Sequence, residues 1–67
     1  MYASKNFRTK KRFREAVEQG ERITLMAPGI GEPVYNGTET VEGPWYPEPH
    51  RWYARVTVVN GIVTKVK

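Results

Sequence analysis

The stretch from Arg51 to Lys67 constrains the fold of this chain more than any other. Arg51 to Val58 alternates polar and apolar residues with a period of two, the pattern of a strand with one buried and one wet face. Asn60-Gly61 follows, a dipeptide suited to the positive φ angles of tight hairpin turns. Ile62 to Lys67 reads as the returning strand. A two-residue loop would pair Val59 with Ile62 and Val56 with Lys65, which puts a lysine on the valine face. A three-residue loop, Val59-Asn60-Gly61, pairs Val58 with Ile62, Val56 with Thr64 and Ala54 with Val66. The second arrangement sorts the faces and is the one expected, with Gly61 in the left-handed region and a bulge at the turn. The inner face is then Trp52, Ala54, Val56, Val58, Ile62, Thr64 and Val66. The outer face is Arg51, Tyr53, Arg55, Thr57, Val63, Lys65 and Lys67.

The remaining segments supply what packs on this hairpin. Thr9 can cap a helix from about Lys10 to Gln19, and Gly20 sits where a helix ends in the left-handed conformation. Phe13, Ala16 and Val17 make one narrow apolar stripe on it. Lys10, Lys11 and Arg12 stand at the positive end of its dipole, and Glu15 and Glu18 nearer the negative end. Each such placement costs about 0.3–1 kcal/mol at an exposed site. Arg22 to Ala27 alternates as a strand, with Ile23, Leu25 and Ala27 inward and Thr24 and Met26 outward. Residues 28–33 read as a loop, and Gly29-x-Gly31 lacks the third glycine and the following helix of a dinucleotide fingerprint. Val34-Tyr35 before Asn36-Gly37 signals a second hairpin, with Thr38 to Glu42 as a polar edge strand. Gly43 to His50 holds Pro44, Pro47 and Pro49 and reads as an extended loop.

The fold class expected is therefore α+β: one short N-terminal helix packed on a small antiparallel sheet of three or four strands. Residues 1–8 read as a basic N-terminal arm and residues 9–67 as a single domain. The expected core is Phe13, Val17, Ile23, Leu25, Trp52, Val56, Val58, Ile62 and Val66.

Charge and composition bear on function. The net charge of +4 is laid out in blocks. Lys5, Arg8, Lys10, Lys11, Arg12 and Arg14 precede the first acid. All seven acids are glutamates between Glu15 and Glu48. Arg51, Arg55, Lys65 and Lys67 close the chain. Basic ends around an acidic middle suit an anionic partner, although solvated surfaces that keep a small protein soluble have the same layout. With no cysteine, one histidine and no aspartate among 67 residues, metal ligation and acid–base catalysis find few candidates. No enzymatic activity and no cofactor are expected. No apolar run approaches the roughly 20 residues of a membrane span, so a cytoplasmic setting and no membrane partner are expected.

Two surfaces stand out. Lys10, Lys11, Arg12 and Arg14, with Arg51, Tyr53, Arg55, Lys65 and Lys67, combine charge for phosphates with a ring for a base, the requirements of nucleic-acid binding and of a single strand in particular. On the expected register Arg55 and Lys65 face each other, a destabilising pair without an anion between them. The plain alternative is the polar side of an antiparallel sheet. The second surface is the loop 43–53, which holds four of the chain's eight aromatics. Trp45, Tyr46 and His50 there fit a protein-docking site, since Trp and Tyr anchor many interfaces. They fit equally well as rings that cover a small core.

Residues 42–54, Glu-Gly-Pro-Trp-Tyr-Pro-Glu-Pro-His-Arg-Trp-Tyr-Ala, together with Phe7-Arg8-Thr9-Lys10-Lys11, Glu15-Ala16-Val17 and the close Val63-Thr64-Lys65-Val66-Lys67, resemble short uncharacterised proteins encoded by bacteriophages and prophages. The resemblance implies a phage setting, with the host cytoplasm as location, and brings no site residues. Two functions are expected to compete: nucleic-acid binding through the basic set, and protein binding through the aromatic loop.

Overall fold

The computed structural model describes residues 1–26, 32–45 and 47–67. Ala27, the loop residues 28–31 and Tyr46 lie outside these. In chain order the elements are β1 (Tyr2–Ala3), α1 (Lys10–Glu18), β2 (Leu25–Met26), β3 (Gly37–Gly43), β4 (Trp52–Val59) and β5 (Ile62–Val66). The α+β class holds. β3, β4 and β5 form an antiparallel sheet in that order, and β1 pairs with β2.

Helix α1 has the ends its sequence expects. Thr9 is extended, and its hydroxyl accepts from the Arg12 backbone N–H at 3.2 Å. At the other end Gly20 takes φ +82°. Its N–H donates to Val17 O at 3.0 Å, and that of Glu21 donates to Ala16 O at 3.1 Å, so both exposed carbonyls are satisfied. Phe13 and Ala16 are buried and Val17 half-buried. The Phe13 ring stacks on Trp52 with centroids 5.3 Å apart, which fixes the helix on the inner face of the sheet. Complete burial of a ring the size of Phe13 stabilises by about 1.5–3 kcal/mol.

The last hairpin takes the register that the face-sorting argument sets aside. Asn60 and Gly61 both have positive φ, 53° and 79°, and form a two-residue turn between Val59 and Ile62. Two consecutive positive φ angles match the natural twist of the flanking strands. The parity problem is solved in the strand. The register shifts between Thr57 and Val58, so that Val58 faces Val63, Thr57 faces Lys65 and Val56 faces Val66. Thr64 is the extra residue, and its hydroxyl donates to Thr57 O at 3.3 Å. Val63 is therefore buried, whereas Ile62 is half-buried and Thr64 exposed, which corrects the expected assignment of all three.

The second expected hairpin does not form. Val34-Tyr35 makes no strand, and Asn36 and Gly37 do not turn one back. β3 instead pairs with β4 along its whole length, from Gly37 opposite Val58 to Gly43 opposite Trp52. Val34 and Tyr35 offer too few partners to compete with the length of β4. Tyr35 and Asn36 brace the other turn: Gly61 N–H donates to Tyr35 O at 2.8 Å, and Asn60 N–H to Asn36 Oδ1 at 2.9 Å. The pairing also buries Val41 completely, a core residue in a segment that reads as polar.

Residues 1–8 are stitched into the domain over part of their length. Tyr2 and Ala3 pair with Met26 and Leu25. Ala3 is buried, and Phe7 packs on the core. Ser4 N–H donates to Thr24 O at 2.8 Å, and Glu42 N–H donates to Met1 O at 2.9 Å. On the other side Val63 N–H donates to Ile23 O at 2.8 Å. Met1, just before β1, and Ile23, just before β2, thus tie the two-stranded sheet to the outer strands β3 and β5 of the larger one. Both outer strands of the sheet are covered over part of their length, which limits edge-to-edge association.

Gly43 has its own steric reason. The Trp52 indole lies across it so closely that an added Cβ would overlap the ring. The indole N–H donates to Phe7 O at 3.0 Å. The Gly43–Pro44 bond is cis. No helix among the described residues is long and apolar enough to cross a membrane.

Candidate functional site

Alternation along β4 sends Trp52, Ala54, Val56 and Val58 into the core and leaves Tyr53, Arg55, Thr57 and Val59 on the other face. β3 presents Glu42 opposite Tyr53, Thr40 opposite Arg55 and Thr38 opposite Thr57. On β5, Lys65 stands opposite Thr57. Lys67 lies beside Arg55, since its N–H donates to Arg55 O at 2.9 Å. The tight turn and the bulge together slide β5 by two residues from the expected register. Arg55 consequently faces Lys67, not Lys65.

Lys10, Thr40, Tyr53, Ala54, Arg55 and Lys67 together line an open depression of about 340 Å³. Lys10 opens α1, so the helix delivers one cation to a site otherwise made by the sheet. Of the eleven Lys and Arg residues, only Lys5 (to Glu21, 2.8 Å) and Arg8 (to Glu48, 4.0 Å) are ion-paired among the described residues. The three cations of the depression have no ion-pair partner among those residues, and Arg55 makes only a 3.5 Å contact to Thr38 Oγ1.

Tyr53 is 58 % exposed. Its ring meets His50 edge-to-face, with centroids 6.5 Å apart and planes at 87°. His50 is held in turn. Its Nε2 is hydrogen-bonded to the Tyr2 hydroxyl at 2.7 Å, and its Nδ1 lies 3.9 Å from Glu42 Oε2. Glu42 is the acid paired with Tyr53 across the strands, and its other oxygen lies 3.7 Å from the Met1 amino group. The acid that would oppose an anionic ligand is thus engaged elsewhere.

The nine residues expected to bind nucleic acid are only partly brought together. Lys10, Tyr53, Arg55 and Lys67 share the depression, with Lys65 on the same face of the sheet. Arg51 goes elsewhere and lines a second depression of about 300 Å³ with Arg8, Pro44, Glu48 and Pro49. Arg12 borders a third, among Phe7, Glu15 and Glu21. Lys11 is exposed and Arg14 half-buried on α1. Of the residues expected to dock a protein, Trp45 is half-buried. Its indole N–H donates to Ala3 O at 3.0 Å, and its backbone N–H to Asn6 Oδ1 at 2.8 Å. Sequence reading missed Thr40 in the first depression and Arg8 in the second. It also missed Tyr2 behind His50, because a two-residue strand carries no periodicity.

No family model matches the chain, and comparison with curated proteins and with solved structures gives no match either.

Proposed function

We propose that this chain is a small non-enzymatic protein that binds nucleic acid on the outer face of the β3–β5 sheet. The observation that carries the reading is one depression lined by Lys10, Arg55 and Lys67, all without ion-pair partners among the described residues, together with the exposed Tyr53. Cations neutralise phosphates and release their counterions, and an aromatic ring offers a stacking surface. Like charges side by side, as in Arg55 and Lys67, repel in the free protein. A polyanion relieves that repulsion. Protein docking through Trp45, Tyr46 and His50 has less support, since Trp45 and His50 already make hydrogen bonds inside the molecule. The setting that goes with the reading is the cytoplasm, that of a host cell where the chain is phage-encoded.

The test is an amide-resolved NMR titration with mixed-sequence oligonucleotides at about 50 and 200 mM salt, a range over which phosphate-driven binding collapses. Shifts at Lys10, Tyr53, Arg55, Lys65 and Lys67 that fade at the higher salt are expected. Absence of shifts at the lower salt, for single strands and duplexes alike, would falsify the reading.

A further inference from the structure

Resting on that reading, we infer that the ligand form is a single strand, with one unpaired base stacked on Tyr53 and the flanking phosphates held by Arg55, Lys67 and Lys10. Two observations favour a single strand over a duplex. The first is the ring. Tyr53 is exposed on the binding face, and His50 meets it edge-to-face, an arrangement that sets the ring's orientation. His50 is itself fixed by Tyr2 and set beside Glu42. A pre-set ring face is useful only to a base whose own face is free, and duplex bases spend theirs on each other.

The second observation is the helix. Duplex readers commonly lay an exposed helix into the major groove. α1 has nine residues, buries Phe13 and Ala16, and shows Glu18 on its exposed side together with Lys11 and Arg12. Only its first residue, Lys10, reaches the depression. The helix supports the site and has no purely cationic face to put in a groove.

The experiment is a fluorescence-anisotropy titration of the full chain at about 50 mM salt, where phosphate contacts are strong. The probes are a labelled single strand of about 12 nucleotides, within the range one small domain covers, its duplex, and the same strand with abasic sites. The proteins are wild type, Tyr53→Phe, Tyr53→Ala and the double variant Arg55→Ala/Lys67→Ala, each checked for folding by circular dichroism. The single strand should bind at least about tenfold tighter than the duplex. Tyr53→Ala should lose roughly 5- to 150-fold on the single strand, the range for one stacked base, and nothing on the abasic strand. Tyr53→Phe should retain wild-type affinity. If single strand and duplex bind alike and Tyr53→Ala is neutral while the double variant weakens both, phosphate binding stands and base stacking falls. If no probe binds wild type, the nucleic-acid reading itself falls. Should Tyr53→Ala fail to fold, the abasic strand alone decides: affinity equal to that of the intact strand overturns the inference.

Discussion

The two faces of β4 follow opposite rules. On the inner face Trp52, Ala54, Val56 and Val58 are buried, and their neighbours fit them: Gly43 lies under the Trp52 ring and Val41 opposite Ala54. On the outer face Tyr53 and Arg55 are exposed, and the neighbours conflict, with Arg55 beside Lys67. One backbone serves both faces, so the contrast is purely one of side chains. Inner-face residues fit one another in the isolated protein, whereas the outer face sets two cations side by side, an arrangement that the proposed ligand would relieve. Local conflict that the fold tolerates is a pointer to function. Substitutions on the two faces should therefore separate stability from binding.

The largest effect is expected at Trp52. Trp52→Ala removes the ring stacked on Phe13 and the hydrogen bond to Phe7 O. Large aromatic truncations in a core cost about 3–5 kcal/mol, a sum close to the whole stability of a domain this small. Urea denaturation should find it largely unfolded, and a midpoint near wild type would remove Trp52 from the centre of the core. Gly43→Ala comes next. The overlap of its Cβ with the indole should cost about 1–3 kcal/mol as overpacking. In a Trp52→Leu background the same change should cost much less, because the side chain it strikes is smaller. A double-mutant cycle measures that coupling, and simple additivity would show the clash to be elsewhere.

Outer-face changes should leave folding almost untouched. Tyr53→Ala and Arg55→Ala are expected within about 0.5 kcal/mol of wild type, as at other surface positions. Arg55→Ala should fall on the stabilising side, since it removes a like-charge neighbour of Lys67. Removing Arg55 and Lys67 together should reduce the slope of log K against log salt by about 2, one for each phosphate no longer neutralised. A fall in stability as large as that of Gly43→Ala would mean that the outer face is structural after all.

The same contrast accounts for what could be read in the sequence. The helix, its Thr9 and Gly20 ends, and both faces of β4 rest on near neighbours in the chain, and those signals are unambiguous. The two Asn-Gly pairs show where such signals stop. Asn60-Gly61 makes a turn because a strand stands on each side of it, β4 before and β5 after, whereas Asn36-Gly37 has only Val34-Tyr35 before it and leads into β3. Turn chemistry permits a hairpin, and the available partners decide whether it forms. The bulge at Thr64 was hidden because it depends on pairing Val63 with Ile23 and keeping Val66 opposite Val56. Tyr53, Arg55, Lys65 and Lys67 were legible as a basic face. That Lys10 joins them while Arg51 turns towards Arg8 depends on packing between segments distant in sequence.

The smallest predicted effect is the sharpest test of the division, because it asks two adjacent residues to behave differently. Lys10 and Lys11 both stand in the first turn of α1, where no acid is present and a cation opposes the helix dipole. Replacing either with Glu should stabilise the fold by about 0.3–1 kcal/mol, a gain readable as a higher thermal midpoint. Binding should tell them apart. Lys10 lines the depression, and Lys10→Glu should weaken oligonucleotide affinity by putting a negative charge where a phosphate would sit. Lys11 projects from the exposed side of the helix, and Lys11→Glu should change affinity only through the weaker long-range field, an effect screened beyond roughly 8 Å at physiological salt. If both variants gain stability and only Lys10→Glu loses affinity, the first residue of the helix is retained for the ligand at the expense of the helix. Equal losses would mean that the whole basic surface binds, with no privileged site around Tyr53.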